Sequence, residues 1–143
     1  MRLTRASEYA LRGLAVLAAS PVGAATPLED IARARDLPAS FLAKIFQKLA
    51  RHGVLMASRG PGRGYALAQP AAAISLKTIL ESVEGPDLFQ HCLLLPGHDH
   101  RSRCRLHRHV TPILTALIAR LDSISLAEFA AVEETPEPSE TPS

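Results

Sequence analysis

The sequence predicts a mostly α fold with one β-hairpin, and three of its features carry that prediction. Two short helical segments meet across a tight turn at Leu37 and Pro38. A hairpin rich in Gly and Arg follows them directly. A helix with a heptad seam comes later in the chain. Two helices across a tight turn, with a hairpin after them, make a winged helix-turn-helix. The expected architecture is a winged helix-turn-helix plus a long C-terminal helix whose seam packs on a partner helix.

The first helix is expected over Leu3 to Ser20. Ala10, Leu14 and Leu17 fall at helical spacing, and Thr4 or Ser7 is the candidate cap. The same stretch imitates a secretory signal, with a basic opening, an apolar run and an Ala-x-Ala-like end. Glu8 and Arg12 interrupt it and leave only Gly13–Ala19 without a break. An amphipathic core helix is the simpler account. In "TPLEDIARARD", Thr26, Pro27 and Glu29 read as a capping box with Pro at the first helical position. This helix ends near Asp36. The next runs from about Ser40 to His52 and stops at Gly53. Leu42, Ile45, Phe46 and Leu49 share its core face. Ser40, Lys44, Gln47 and Arg51 recur at +4, +3 and +4 on another, and an outer face of this kind can enter a major groove.

"VLMASRGPGRGYALAQP", residues 54–70, reads as strand, turn, strand around Gly60, Pro61, Gly62, Arg63 and Gly64. Arg59 and Arg63 are placed to reach phosphates or a narrow minor groove. The tip is not a nucleotide-binding loop. It lacks Lys-Ser/Thr and precedes a strand rather than a helix. "SLKTILESVEG" gives a fourth helix with Ile79, Leu80 and Val83 inward and Gly85 at its end. From Pro86 to about Arg105 no period is visible. Val110, Leu114, Leu117, Leu121 and Ile124 then recur at +4, +3, +4 and +3, broadened by Ile113 and Ile118. Such a seam packs on a partner helix, in the same chain or in a second copy. Pro112 leaves two readings open. It starts this helix with Thr111 as N-cap, or it kinks a helix that began near Cys104. "SLAEF" at Ser125 offers a capping box and a short last helix. "EETPEPSETPS" has the composition of a disordered acidic tail.

Composition narrows the function. A chain of 143 residues is one domain, or one small domain with an appendage. Residues 1–68 hold ten Lys and Arg against four Asp and Glu, whereas residues 69–143 hold six against ten. A basic first half and an acidic second half suggest a polyanion partner for the first. No apolar run is long enough to span a membrane. With no secretory signal, two cysteines favour reduced thiols or ligands, hence a cytoplasmic setting.

"HCLLLPGHDHRSRCRLHRH", residues 91–109, contains both cysteines and five of the six histidines. Structural zinc is disfavoured, since eleven residues separate Cys92 from Cys104. A haem-attachment Cys-x-x-Cys-His is absent. A redox disulfide between the two stays open, with Arg103 and Arg105 beside Cys104 promoting thiol reactivity. Nothing pairs a nucleophile with a base, and no carboxylate pair accompanies the histidines, so the chain is not expected to be an enzyme.

The stretches "MRLTRASEYALRGL", "LPASFLAKIFQKLARHGVL", "SRGPGRGYALA", "ISLKTILESVEG" and "SISLAEFAA" together resemble the Rrf-type winged-helix transcriptional regulators. That family includes IscR, NsrR and CymR. The resemblance covers residues 1 to about 132, and the "RGPGRGY" wing is its most telling part. It implies a homodimer clasped through the long helix, bound to a palindromic operator in double-stranded DNA. The DNA-contacting set is then Arg2, Thr4, Ser40, Phe41, Lys44, Gln47, Lys48, Arg51, Arg59, Gly60, Pro61 and Arg63. Family members often hold an iron–sulfur cluster on three cysteines separated by five residues each. Cys92 and Cys104 occupy the first and third places here, and His98 the middle one. "CRLH" supplies His107 at a further family position, and Glu8 stands where some members use an acidic ligand from the other subunit. His100 is an alternative to His98. The departure at His98 from the three-cysteine pattern favours a [2Fe-2S] cluster over a four-iron one, with mixed thiolate and imidazole ligation that raises its potential. The implied layout is a DNA-binding domain over 1–85, a Cys/His sensor loop over 86–109, the dimerisation helix and short last helix over 110–132, and a disordered tail over 133–143. The implied function is a repressor sensing redox state, nitric oxide or cluster supply. The alternative is a cluster-free regulator of the same fold, controlled by thiol oxidation or a partner protein.

Overall fold

A computed structural model of the chain describes residues 3–59, 63–89 and 105–133. The elements run α1 (Arg5–Ala18), α2 (Leu28–Ala34), α3 (Ala39–Arg51), β1 (Leu55–Ser58), β2 (Gly64–Leu67), a 3-10 turn (Ala71–Ala73), α4 (Leu76–Glu84), α5 (Arg105–Ser123) and α6 (Leu126–Glu133).

Thr4 caps α1, its hydroxyl accepting from the Ala6 N–H at 3.2 Å. Ala10, Leu14 and Leu17 are buried, as their spacing requires. At Gly13 helix α1 touches α3: a Cβ there would stand 2.9 Å from Cζ of Phe46. Glycine therefore lets the two helices close on the fully buried Phe46 ring. The turn between α2 and α3 closes on Asp36, whose φ of 53° is left-handed. The Leu37 N–H reaches back to the Ala32 carbonyl at 2.8 Å. Asp tolerates this conformation better than most residues, and the bond satisfies one of the carbonyls left open at the end of α2. Gly53, at φ 78°, ends α3 in the same way, with Val54 N–H on the Leu49 carbonyl at 3.0 Å. The predicted core face of α3, Leu42, Ile45, Phe46 and Leu49, is buried throughout.

Thr26 does not cap α2. The N-cap is Pro27, with no side-chain bond. Thr26 instead pairs through its backbone with Tyr65, N–H to carbonyl in both directions at 2.9 Å. It thereby adds one residue of a third strand to the hairpin. Glu29 and Asp30 in the first turn of α2 supply the negative charge that favours a helix start.

Strands β1 and β2 pair antiparallel, Leu55 opposite Leu67 and Ser58 opposite Gly64. Leu55, Ala66 and Leu67 are buried, and Tyr65 meets Phe46 edge-on at 5.3 Å between centroids. Ser75 caps α4 through the Thr78 N–H at 3.1 Å, and Ile79, Leu80 and Val83 face the core.

Helix α5 begins at Arg105, five residues before the expected boundary, and Pro112 lies inside it. Of the two readings of Pro112, the helix takes the one that starts near Cys104. Pro112 has no N–H to offer the Arg108 carbonyl, so the helix tolerates one missing bond there. Among the described residues of α5 no side chain is buried. Ile113 is 66% exposed, while Val110, Leu114, Leu117, Ile118 and Leu121 are half-buried.

Ser125 caps α6 through the Glu128 N–H at 3.1 Å, as the capping box predicts. Leu126 is fully buried in the core that α1, α3 and α4 share. Two backbone bonds fasten this end of the chain: Leu76 N–H to the Ile124 carbonyl at 2.9 Å, and Leu126 N–H to the Ile74 carbonyl at 2.8 Å. Helix α6, grouped with α5 by the sequence boundaries, thus packs with the first 85 residues. The tail from 134 onward lies outside the described residues. Among the described residues no helix is long and apolar enough to cross a membrane.

Candidate nucleic-acid interface

The candidate interface is built on α3. Burial of Leu42, Ile45, Phe46 and Leu49 fixes the rotation of that helix, so Ser40, Lys44, Gln47 and Arg51 must face outward together. All four are exposed, and so are Phe41 and Lys48. The helix carries Lys44, Lys48 and Arg51 and no acidic residue. Its first turn has neither an acidic residue nor a side-chain cap. Its N-terminal N–H groups therefore add positive potential to the same face. Phe41 meets Tyr9 of α1 edge-on, with centroids 5.6 Å apart and planes at 89°. Arg59 and Arg63, on either side of the hairpin tip, are exposed.

The chemistry of this face suits duplex DNA. The Gln47 amide can pair with an adenine edge and Lys44 with guanine acceptors, while Arg51, Lys48 and the wing arginines suit phosphates. The exposed edge of Phe41 offers an apolar contact for a thymine methyl. Arg2, Gly60 and Pro61 lie outside the described residues, as do Cys92, His98, His100 and Cys104. The backbone of His107 lies in the first turn of α5. Glu8, on α1, is 60% exposed and makes a stretched ion pair of 3.7 Å with Arg12. Arg12 also donates to the Arg35 carbonyl at 2.8 Å, tying α1 to the end of α2. Among the described residues no three His, Cys, Asp or Glu side chains come together.

Sequence reasoning missed Glu84, the last residue of α4. One carboxylate oxygen, Oε1, accepts from the Thr4 N–H at 2.9 Å, the Thr4 hydroxyl at 2.6 Å and the Ser7 hydroxyl at 2.7 Å. The Thr4 hydroxyl, expected to contact DNA, is here committed to Glu84 as donor and to Ala6 as acceptor. Burial alone would raise the Glu84 pKa. The Thr4 and Ser7 hydroxyls, the Thr4 N–H and the charge of Lys48 outweigh it and hold the carboxyl below its ordinary value. No local signal marks this contact, because its partners are 77 and 80 residues away.

The direction of that shift fixes a pH dependence. The folded carboxyl titrates below the unfolded one. Its network therefore stabilises the fold above the unfolded-state pKa, and the contribution is lost as pH falls through the folded value. Glu84→Gln will lower Tm at neutral pH and flatten the acid limb below about pH 5. Thermal melts by circular dichroism from neutral to acid pH check this, and parallel acid limbs for the two proteins would count against it.

A family model described as "Rrf2: Iron-dependent Transcriptional regulator" matches residues 3–132. Over 129 residues the chain is 29% identical to the HTH-type transcriptional regulator IscR of Yersinia pseudotuberculosis serotype O:1b, covering 90% of this chain and 79% of that protein. It is 27% identical over 134 residues to the regulator of the same name from Escherichia coli O1:K1, covering 94% of this chain and 83% of that one. Among solved structures, CymR, the global cysteine regulator of B. subtilis, superposes with a TM-score of 0.76 at 24% identity, over 92% of this chain and 98% of that one. IscR of T. potens superposes with a TM-score of 0.71 at 19% identity, over 100% and 94%. At these identities the superpositions establish a shared fold, mostly helical with a two-stranded hairpin.

Proposed function

The chain belongs to the Rrf2 family of transcriptional regulators, and on that premise we propose that it is a homodimeric repressor whose operator binding is controlled by an iron–sulfur centre in the Cys/His stretch. The observation that carries the DNA half is the acid-free outer face of α3 beside the exposed Arg59 and Arg63. Arg2, Lys44, Lys48, Arg51, Arg59 and Arg63 supply salt-dependent affinity by displacing counterions from phosphates. Ser40, Lys44 and Gln47 read base edges. The seam of α5, half-buried in one chain, seats against its counterpart in a second copy. Two α3 helices then meet a palindrome whose half-sites lie about one helical turn apart.

The donor set suits the centre. Cys92 and Cys104 would hold it with His98 and His107, with His100 as alternative to His98 and Glu8 as a further donor. Soft thiolates with imidazole favour cluster iron over Mg or Ca. Two described features support this set. Helix α5 begins at Arg105, and the backbone of His107 lies in its first turn. Glu8 is exposed, and its ion pair with Arg12 is long. When bound, the cluster supplies a one-electron couple. Helix α5 begins beside the ligands and is itself the dimer seam. A change at the loop therefore bears on the spacing of the two heads, and small changes of spacing mismatch one half-site.

The test is purification without oxygen, with visible absorption, iron and sulfide analysis and DNA binding on one sample. The expected result is about two iron and two sulfide per chain and a red-brown colour. Cys92→Ser with Cys104→Ser should lose both. Operator affinity, on a duplex selected from a random pool, should change when the metal is stripped. Unchanged affinity would end the switch while leaving the DNA reading intact. A colourless, metal-free dimer that still binds DNA would transfer control to the Cys92 and Cys104 thiols or to a partner protein.

A further inference from the structure

Phe41 stands in the first turn of α3 and is 39% exposed, outside the core. The first turn of a recognition helix is the part that reaches base edges. A phenylalanine left to itself there would sample more than one χ1 rotamer, and freezing it on a base would cost affinity. Tyr9 removes that freedom. Its ring stands edge-on to Phe41, with centroids 5.6 Å apart and planes at 89°, the favoured T-shaped arrangement. Tyr9 is itself held in place. It is half-buried and packs against the core from α1. Helices α1 and α3 touch again at Gly13 and Phe46, so the spacing of the two rings is set by helix packing as well.

We propose that Tyr9 is a positioning residue for sequence recognition: it holds the Phe41 ring in one rotamer, ready to pack on the C5 methyl of a thymine. That methyl is the apolar group a base pair presents in the major groove, and cytosine and uracil lack it. The proposal rests on the DNA-interface reading above and is independent of any metal. Tyr9 acts through Phe41 and touches no base. The side chains of Lys44 and Gln47 supply hydrogen bonds on the same face, whereas the ring pair supplies an apolar contact whose geometry is fixed before DNA arrives.

The test is fluorescence anisotropy of the full chain on a palindromic duplex selected from a random pool. Each thymine of a half-site is then replaced in turn by deoxyuridine, which lacks only the C5 methyl. At one position the wild type should bind about 3- to 5-fold more weakly per methyl removed, the value of one buried methyl group. Phe41→Ala should abolish that penalty. Tyr9→Leu should bind the thymine duplex about 2- to 10-fold more weakly, the range of an edge-to-face ring contact, and lose most of the penalty. The double variant should match Phe41→Ala. Tyr9→Phe keeps the ring and should behave as wild type. All the variants should bind a mixed-sequence duplex as the wild type does, because phosphates carry that affinity. A further measurement needs no variant: three-bond couplings in the free wild type should place χ1 of Phe41 in a single rotamer. The proposal is overturned by a full penalty in Tyr9→Leu, by its loss in Tyr9→Phe, by no penalty at any thymine in the wild type, or by averaged Phe41 couplings. A wild type that binds no duplex would overturn the interface reading itself, whereas those four outcomes remove only the role of Tyr9.

Discussion

Aspartate at both Leu114 and Leu117 will give a folded monomer whose affinity for a palindromic operator is lower by about 10²- to 10⁴-fold, the range lost when bivalent engagement becomes single. Both side chains are half-buried in one chain and neither belongs to its core. Their truncation therefore leaves α1 to α4 packed. In a dimer the substitutions would place four carboxylates in one apolar seam without cationic partners, and an unpaired buried charge costs several kcal/mol. Sedimentation velocity and anisotropy on the same sample check both parts. A persistent dimer would show that another face joins the two copies. A monomer with undiminished affinity would show that one head suffices.

Gly64→Ala will have the second large effect, a loss of about 2–4 kcal/mol of stability from overpacking and broken backbone bonds. A Cβ on Gly64 runs into the Thr26 carbonyl, which belongs to the backbone and cannot swing aside as a side chain would. The Thr26–Tyr65 pair must part to admit it. That pair holds the hairpin against the start of α2, so the wing loses its fixed direction. Duplex affinity should fall about tenfold or more, through Arg59 and Arg63 losing their placement on phosphates. Urea melts and anisotropy separate the two consequences. Arg59→Ala with Arg63→Ala should match the affinity loss with little change in stability. If Gly64→Ala keeps wild-type stability, the clash is relieved elsewhere and the hairpin is not anchored as described.

Periodic features were legible in the sequence because they repeat within one element. The spacing of Leu42, Ile45, Phe46 and Leu49 set the inner face of α3, and with it the exposed set of Ser40, Lys44, Gln47 and Arg51. Glycine marked the end of α3, and Ser125 marked the start of α6. Long-range partners were not legible. Thr26 has the sequence of a cap, but Tyr65, distant in the chain, takes its backbone. Glu84 has the sequence of an ordinary helix-end acid, but Thr4 and Ser7 take its oxygen. Pro112 suits a helix start and a helix interior alike; its place was decided by how far α5 extends toward Cys104. The hairpin tip and the four central ligand candidates fall outside the described residues, so their part of the site stands on residue type and spacing.

The fastening of α6 also sets an order of events during synthesis. Leu126 completes the core around α1, and the Ile74–Leu126 and Leu76–Ile124 bonds close only after α5 has been made. A nascent chain that has reached residue 85 carries α1 to α4 and the hairpin, but it still lacks part of its interior. At about 5–20 residues per second, the ribosome takes a few seconds to about ten to supply the rest. Through that interval the growing head is incomplete. A chain broken off before α6 would leave that core unfinished, exposing apolar surface of α1 that the complete chain covers with Leu126 and the rest of α6.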